Sequence, residues 1–128
     1  MTCKETLERD VKAYAKTLAD VVSGNDAFAE LAEGADINEY DFDLEYDRLR
    51  WYFEDVLDVE YRVDSRLEYK GTNITLSWGG PGIEFNTRNG EVKGYWGNDE
   101  FDWRVDYDTR HAIDSHFAEV FYMIRESY

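Results

Sequence analysis

The chain has 128 residues, room for one domain, and sets 29 Asp and Glu against 14 Lys and Arg for a formal net charge of −15. Apolar residues at 43% and aromatics at 16% supply a core, which excludes a mainly disordered acidic chain. One cysteine, Cys3, excludes an intramolecular disulfide framework and any all-cysteine zinc site.

Thr2-Cys3-Lys4-Glu5 has the form of a capping box, in which a threonine hydroxyl accepts from a free helix N–H. Leu7, Val11, Tyr14, Leu18 and Val21 then recur at spacings of three and four, one apolar stripe on a helix that stops near Ser23-Gly24. Asn25 is placed to cap a short second helix carrying Phe28 and Leu31, with Gly34 as its stop. From Tyr40 to Asp47 aromatic or apolar residues alternate with acids, a strand period, whereas Leu49, Tyr52, Phe53, Val56 and Leu57 follow helical spacing. With no turn residue between the halves, the reading is an extended segment leading into a helix over about Asp43 to Leu57.

Strand patterns follow. Val59, Tyr61 and Val63 alternate, then Leu67 and Tyr69, then Ile74, Leu76 and Trp78. Gly79-Gly80-Pro81-Gly82 reads as a turn before Ile83 and Phe85. Asn89-Gly90 is a hairpin signal before Val92, Tyr95 and Trp96, and Gly97-Asn98 precedes Phe101, Trp103, Val105 and Tyr107. Connections this short suit an antiparallel meander with one buried face. Asp106 or Asp108 is placed to cap a last helix with Ile113, Phe117, Val120, Phe121 and Ile124 on one face. The expected architecture is α+β in a single domain over residues 1–128. N-terminal helices (1–34) precede an antiparallel β-meander of about four strands and a C-terminal helix packed on the sheet (35–128).

The acids are unevenly distributed. Between Asp36 and Glu60 lie ten acids and two bases, a net of −8. A strand with an acid at every second residue offers one charge per ~6.6 Å on one face. Duplex DNA carries one per ~1.7 Å of axis. Such a surface matches only those phosphates a partner touches, which is enough to occupy a nucleic-acid channel. The alternative is a solvated face, or the Asp-rich surface of a salt-adapted protein, which five lysines against fifteen aspartates also fit. A second cluster, Asp99, Glu100, Asp102, Asp106 and Asp108, surrounds Trp103. It reads as charge that blunts an exposed strand or as the rim of an aromatic anchor.

Other chemistry is weakly signalled. Asp43, Glu45, Asp47 and Glu54 fall at positions one, three, five and twelve of a calcium loop, but Arg48 stands where the turn needs glycine. His111 and His116 are five apart and do not share a helix face as a metal pair would. Cys3 has no evident histidine partner. The glycine run at Trp78–Gly82 lacks the Lys-Ser/Thr ending of a phosphate loop. No cofactor and no catalytic residue is therefore assigned.

Leu57-Asp58-Val59-Glu60-Tyr61, Ser77-Trp78-Gly79-Gly80-Pro81 and Gly94-Tyr95-Trp96-Gly97 resemble segments of small uncharacterised proteins from phages and bacterial mobile elements, a structural motif over roughly residues 50 to 125 that fixes no function. It carries over no active site. Small acidic proteins of such elements include anti-CRISPR and anti-restriction inhibitors, several of which occupy nucleic-acid channels. The acidic belt, with this association as an analogy, leads to the expectation of a non-enzymatic inhibitor that mimics nucleic acid and binds a basic nucleic-acid-binding protein such as a CRISPR effector, as monomer or homodimer. Its partner-binding residues would be Asp41, Asp43, Glu45, Asp47, Asp55 and Asp58, joined by Asp99, Glu100 and Asp102. A charge of this sign repels nucleic acid itself and anionic membranes. No apolar run approaches the ~20 residues that span a bilayer, and the acidic N-terminus does not read as a signal peptide, so a cytoplasmic location is expected. The same surface chemistry would serve an immunity protein or antitoxin masking a basic toxin.

Overall fold

Thr2 starts the first helix as its pattern predicts: Oγ1 accepts from the Glu5 N–H at 3.1 Å. Helix α1 runs Cys3–Ser23 and ends at Gly24, whose φ of 66° and N–H bond to the Asp20 carbonyl form a left-handed cap. Leu7, Val11, Leu18 and Val21 are buried, Ala15 fills the gap between them, and Tyr14 is half-buried. The computed structural model describes residues 2–35 and 39–127.

Helix α2 (Asp26–Leu31) is capped by Asn25, which accepts from the Phe28 N–H at 3.0 Å. Phe28 is buried, but Leu31 stands exposed, because six residues bring only one anchor to the core. Helix α3 is shorter than the pattern predicts, Glu45–Phe53 instead of Asp43 to Leu57. At its start, aspartates take the backbone into a turn. The Asp43 N–H donates to Asp41 Oδ1, and the Asp41 N–H to Asp47 Oδ2. At its end, the Leu57 N–H already bonds the Thr75 carbonyl, so the chain has changed from helix to sheet.

The sheet has five strands, one more than expected: β1 (Asp58–Val63), β2 (Tyr69–Ser77), β3 (Gly82–Asn86), β4 (Glu91–Trp96) and β5 (Asp99–Arg104). All neighbours are antiparallel and the spatial order follows the sequence. Leu67 lies in the β1–β2 turn at φ 62° and is exposed, outside any strand, and Val63 and Trp78 also stand in solvent. Gly90, at φ 75° in the β3–β4 turn, bears out the hairpin reading.

Helix α4 (Tyr107–Glu126) is capped by Asp106, which accepts from the Thr109 N–H. Ile113 and Phe117 reach the core, whereas Ile124 and Tyr107 are exposed. α1 lies over β4 and β5, and α4 over β2, both on one side of the sheet. Between helices and sheet sit Ile74, Ile83, Phe85 and Val92, none more than 2% exposed. α1 approaches β4 so closely that a Cβ on Gly94 would lie 2.5 Å from Val11 Cγ2 and 2.7 Å from Leu7 Cδ1.

Two polar devices fasten the helices. Asp114 of α4 accepts from Tyr69 Oη and Thr87 Oγ1, each at 2.7 Å, tying α4 to the sheet. Arg48, buried in α3, donates to the carbonyls of Val21, Val22 and Phe42 at 2.8, 2.7 and 2.9 Å. No helix among the described residues is long and apolar enough to cross a membrane.

Candidate partner-binding surface

The structure separates the predicted acids into two groups. Asp41 and Asp43 are exposed on the lead-in to α3 and Glu45 in its first turn, and Asp55 is exposed just after that helix. Asp47 is half-buried, holding the Asp41 N–H and lying 3.8 Å from Arg50 Nε. Asp36, part of the same dense stretch, lies outside the described residues. Asp58 belongs elsewhere, on the face of the sheet turned away from the helices.

That open face is built by strand register. Directly paired residues point to the same side, so Asp58, Thr75, Glu84, Lys93 and Asp102 form one row across all five strands. Four strand spacings put Asp58 and Asp102 about 19 Å apart. A second row is Glu60, Asn73, Asn86, Glu91 and Arg104. Tyr95 and Glu100 lie one step along from the first row. The face therefore presents six acids with Arg62, Lys93 and Arg104 among them.

Its charges are partly engaged. Lys93 Nζ lies 3.3 Å from Glu100 Oε1, and that carboxylate pushes the lysine pKa up. Arg104 lies 3.4 Å from Glu91. At one end of the face Thr75, Ser77, Trp78, Glu84 and Tyr95 line a shallow hollow of about 130 Å³, with Trp78 66% exposed above it. Desolvation, aided by the Glu84 charge, raises the Tyr95 pKa.

Several sequence expectations are redrawn. Asp99 is half-buried and points to the helix side, apart from Glu100 and Asp102. Trp103 is not ringed by Asp102: the two occupy opposite faces, and Trp103 lies under Lys12 of α1, 4.7 Å from Nζ to ring centre. Asp106 is spent on the α4 cap. Glu84 and Glu91 join the open face without having been singled out; their phase within β3 and β4, opposite to Ile83, Phe85 and Val92, is the signal that finds them.

The calcium set does not converge. Glu45 and Glu54 are nine residues apart along α3, about 13 Å, and Glu54 is hydrogen-bonded to Tyr40, whose phenol is pushed up to about 12 by that carboxylate. Arg48 faces the carbonyls at the end of α1. His111 is exposed and stacked on Tyr107, whereas His116 is buried between Tyr46, Phe53 and Phe117. Cys3 is exposed. Among the described residues no three His, Cys, Asp or Glu side chains gather where they could hold a metal ion. Compared with known proteins, the chain matches no family model, no curated protein and no solved structure.

Proposed function

We propose that this chain is a non-enzymatic inhibitor of anti-CRISPR type, covering a basic nucleic-acid-binding surface of a partner protein with its acids. One observation carries the reading. Of the nine predicted partner-binding acids, seven are exposed, and only Asp47 and Glu100 have a cation within 4 Å among the described residues. Unpaired carboxylates at this density steer a basic partner and form charge-assisted bonds to its lysines and arginines. Two surfaces contribute, the lead-in and first turn of α3 (Asp41, Asp43, Glu45) and the open sheet face (Asp58, Glu100, Asp102), with Trp78 and Tyr95 as desolvated contacts on the latter. The resemblance to phage and mobile-element proteins adds to the reading by analogy.

The test is binding and inhibition of purified CRISPR effectors and basic toxins by the chain and by two neutralised variants. One carries Asp41→Asn, Asp43→Asn and Glu45→Gln; the other carries Asp58→Asn, Glu100→Gln and Asp102→Asn. Inhibition of an effector that weakens with salt and fails in one variant is the expected result, and the failing variant names the surface. Neutralisation of a toxin alone replaces this reading with that of an antitoxin. If no basic partner is bound even at low salt, the acidity serves solvation and the mimicry reading falls.

A further inference from the structure

We infer that the groove between α3 and α4 docks a basic, apolar-faced peptide segment of a partner protein, a surface distinct from the open sheet face that shares only Glu45 with the acids invoked above. Tyr46 of α3 stands in the middle of this groove, its ring 5.3 Å from that of His116 of α4. On one side of Tyr46 a lobe of about 500 Å³ runs along the last turns of α4, lined by Tyr122 and Met123. On the other, a lobe of about 390 Å³ passes over Phe53, Val59 and Val120. Tyr46 and Met123 are 41% and 51% exposed, so the apolar walls stand open to water.

The rim states the charge of the occupant. Glu45, Glu119 and Glu126 edge the groove, and none has a cation within 4 Å among the described residues. Arg50, which lines the second lobe, is already engaged by Asp47 and the Glu39 carbonyl. Glu119 and Glu126 are two helical turns apart, about 10.5 Å, with Met123 between them. Lysines or arginines match that separation at i and i+7 of a helix. An apolar side chain between the two bases would meet Met123.

Beneath the groove lies a side chain that can report on its occupancy. His116 is only 7% exposed, it lines the second lobe but not the first, and its Nδ1 has no hydrogen-bond partner among the described residues. A buried polar atom left unpaired is uncommon in folded proteins. With no accessible surface, Nδ1 is out of reach of a docked segment, and the imidazole reports on the groove only through Tyr46, 5.3 Å away.

The probe is a displayed library of random peptides of about 14 residues, the length of helix that follows the groove from Ala112 to Glu126, selected against the full chain. Enriched peptides should carry Lys or Arg seven apart, around Leu, Phe or Met. Synthetic copies should bind at least about tenfold more weakly to Met123→Ser and to the pair Glu119→Gln and Glu126→Gln. All three side chains are exposed, so thermal unfolding of these variants should match the parent. Bound peptide should also shift the His116 imidazole nitrogen resonances. Neutralising Asp58, Glu100 and Asp102 should leave peptide binding within about twofold, which separates this site from the sheet face. No enrichment, enriched peptides without paired bases, or equal binding to the groove variants overturns the inference.

Discussion

Arg48 closes the C-terminal end of α1 by donating from Nη2 to the Val22 carbonyl, 2.7 Å away. The same guanidinium reaches the Val21 carbonyl from Nε and the Phe42 carbonyl from Nη1. A cation at a helix C-terminus also meets the negative end of the helix dipole. Gly24 leaves room for it, since a Cβ there would fall 2.7 Å from Arg48 Cζ. Arg48→Met keeps the stem but leaves the carbonyls without their donor, and is expected to cost about 2–4 kcal/mol in denaturant unfolding. Arg50→Met, at a more exposed arginine that contacts Asp47 at 3.8 Å, should cost less than about 1 kcal/mol.

Gly94 is expected to be intolerant for steric reasons alone. Its φ is not in the left-handed region, but an added Cβ would overlap the side chains of Val11 and Leu7 in the fully buried interface between α1 and β4. Gly94→Ala should destabilise by about 1–3 kcal/mol through overpacking. Gly82→Ala is the control on the same sheet, because its nearest atom would be the Ser77 carbonyl oxygen at 3.9 Å. A loss at Gly82 equal to that at Gly94 in thermal melts would contradict the close approach of α1.

Stability should fall as the medium is acidified from neutrality, before most carboxylates titrate. Burial lowers the His116 pKa from 6.5 to about 4. Between those values the unfolded chain binds a proton that the folded chain does not, so stability rises with pH and is lost progressively below about pH 6.5. The loss is at most about 3 kcal/mol, from the conversion of ~1.4 kcal/mol per pKa unit. His116→Phe, which keeps an aromatic ring among Tyr46, Phe53 and Phe117, should flatten this dependence between pH 7 and pH 5. An unchanged slope in that variant would place the acid sensitivity elsewhere.

The alkaline limb has the opposite sign. Burial pushes the Tyr52 phenol up to about 12 and raises Tyr69 as well, with the Asp114 carboxylate adding to the latter. Above pH 10 the unfolded phenols lose protons that the folded ones keep, so stability declines with rising pH. Tyr52→Phe and Tyr69→Phe should each make the decline shallower. Tyr69→Phe should also cost about 1–2 kcal/mol at neutral pH, since it removes the Asp114 hydrogen bond.

Local signals in the chain predict the structure where a few neighbouring residues decide it. The Thr2 and Asn25 caps, the α1 stripe and the Asn89-Gly90 turn each depend on residues within one or two turns of each other. The limits of α3 were not legible, because they are set by Asp41 and Asp47 bonding backbone N–H groups and by Leu57 joining Thr75 across the sheet. Nor was the division of the acids. Asp58 and Asp102 share a face only through the register of five strands, whereas the opposite facing of Trp103 and Asp102 follows from strand alternation alone. The α3–α4 groove depends on Tyr46 meeting His116 from 70 positions away, a contact that no spacing rule reports.

The meander has a consequence for the order of assembly. Each strand pairs with its immediate successor, so the sheet grows by closing short loops, the β4–β5 turn being only Gly97 and Asn98. Such closures are fast and carry a small entropic cost. Val11 must instead find Gly94 across more than eighty intervening positions. Helix α1 is therefore expected to dock late, on hairpins that have already formed. Until it does, the inner side of β4 and β5 lies bare, and a second chain's first helix could fill the same seat.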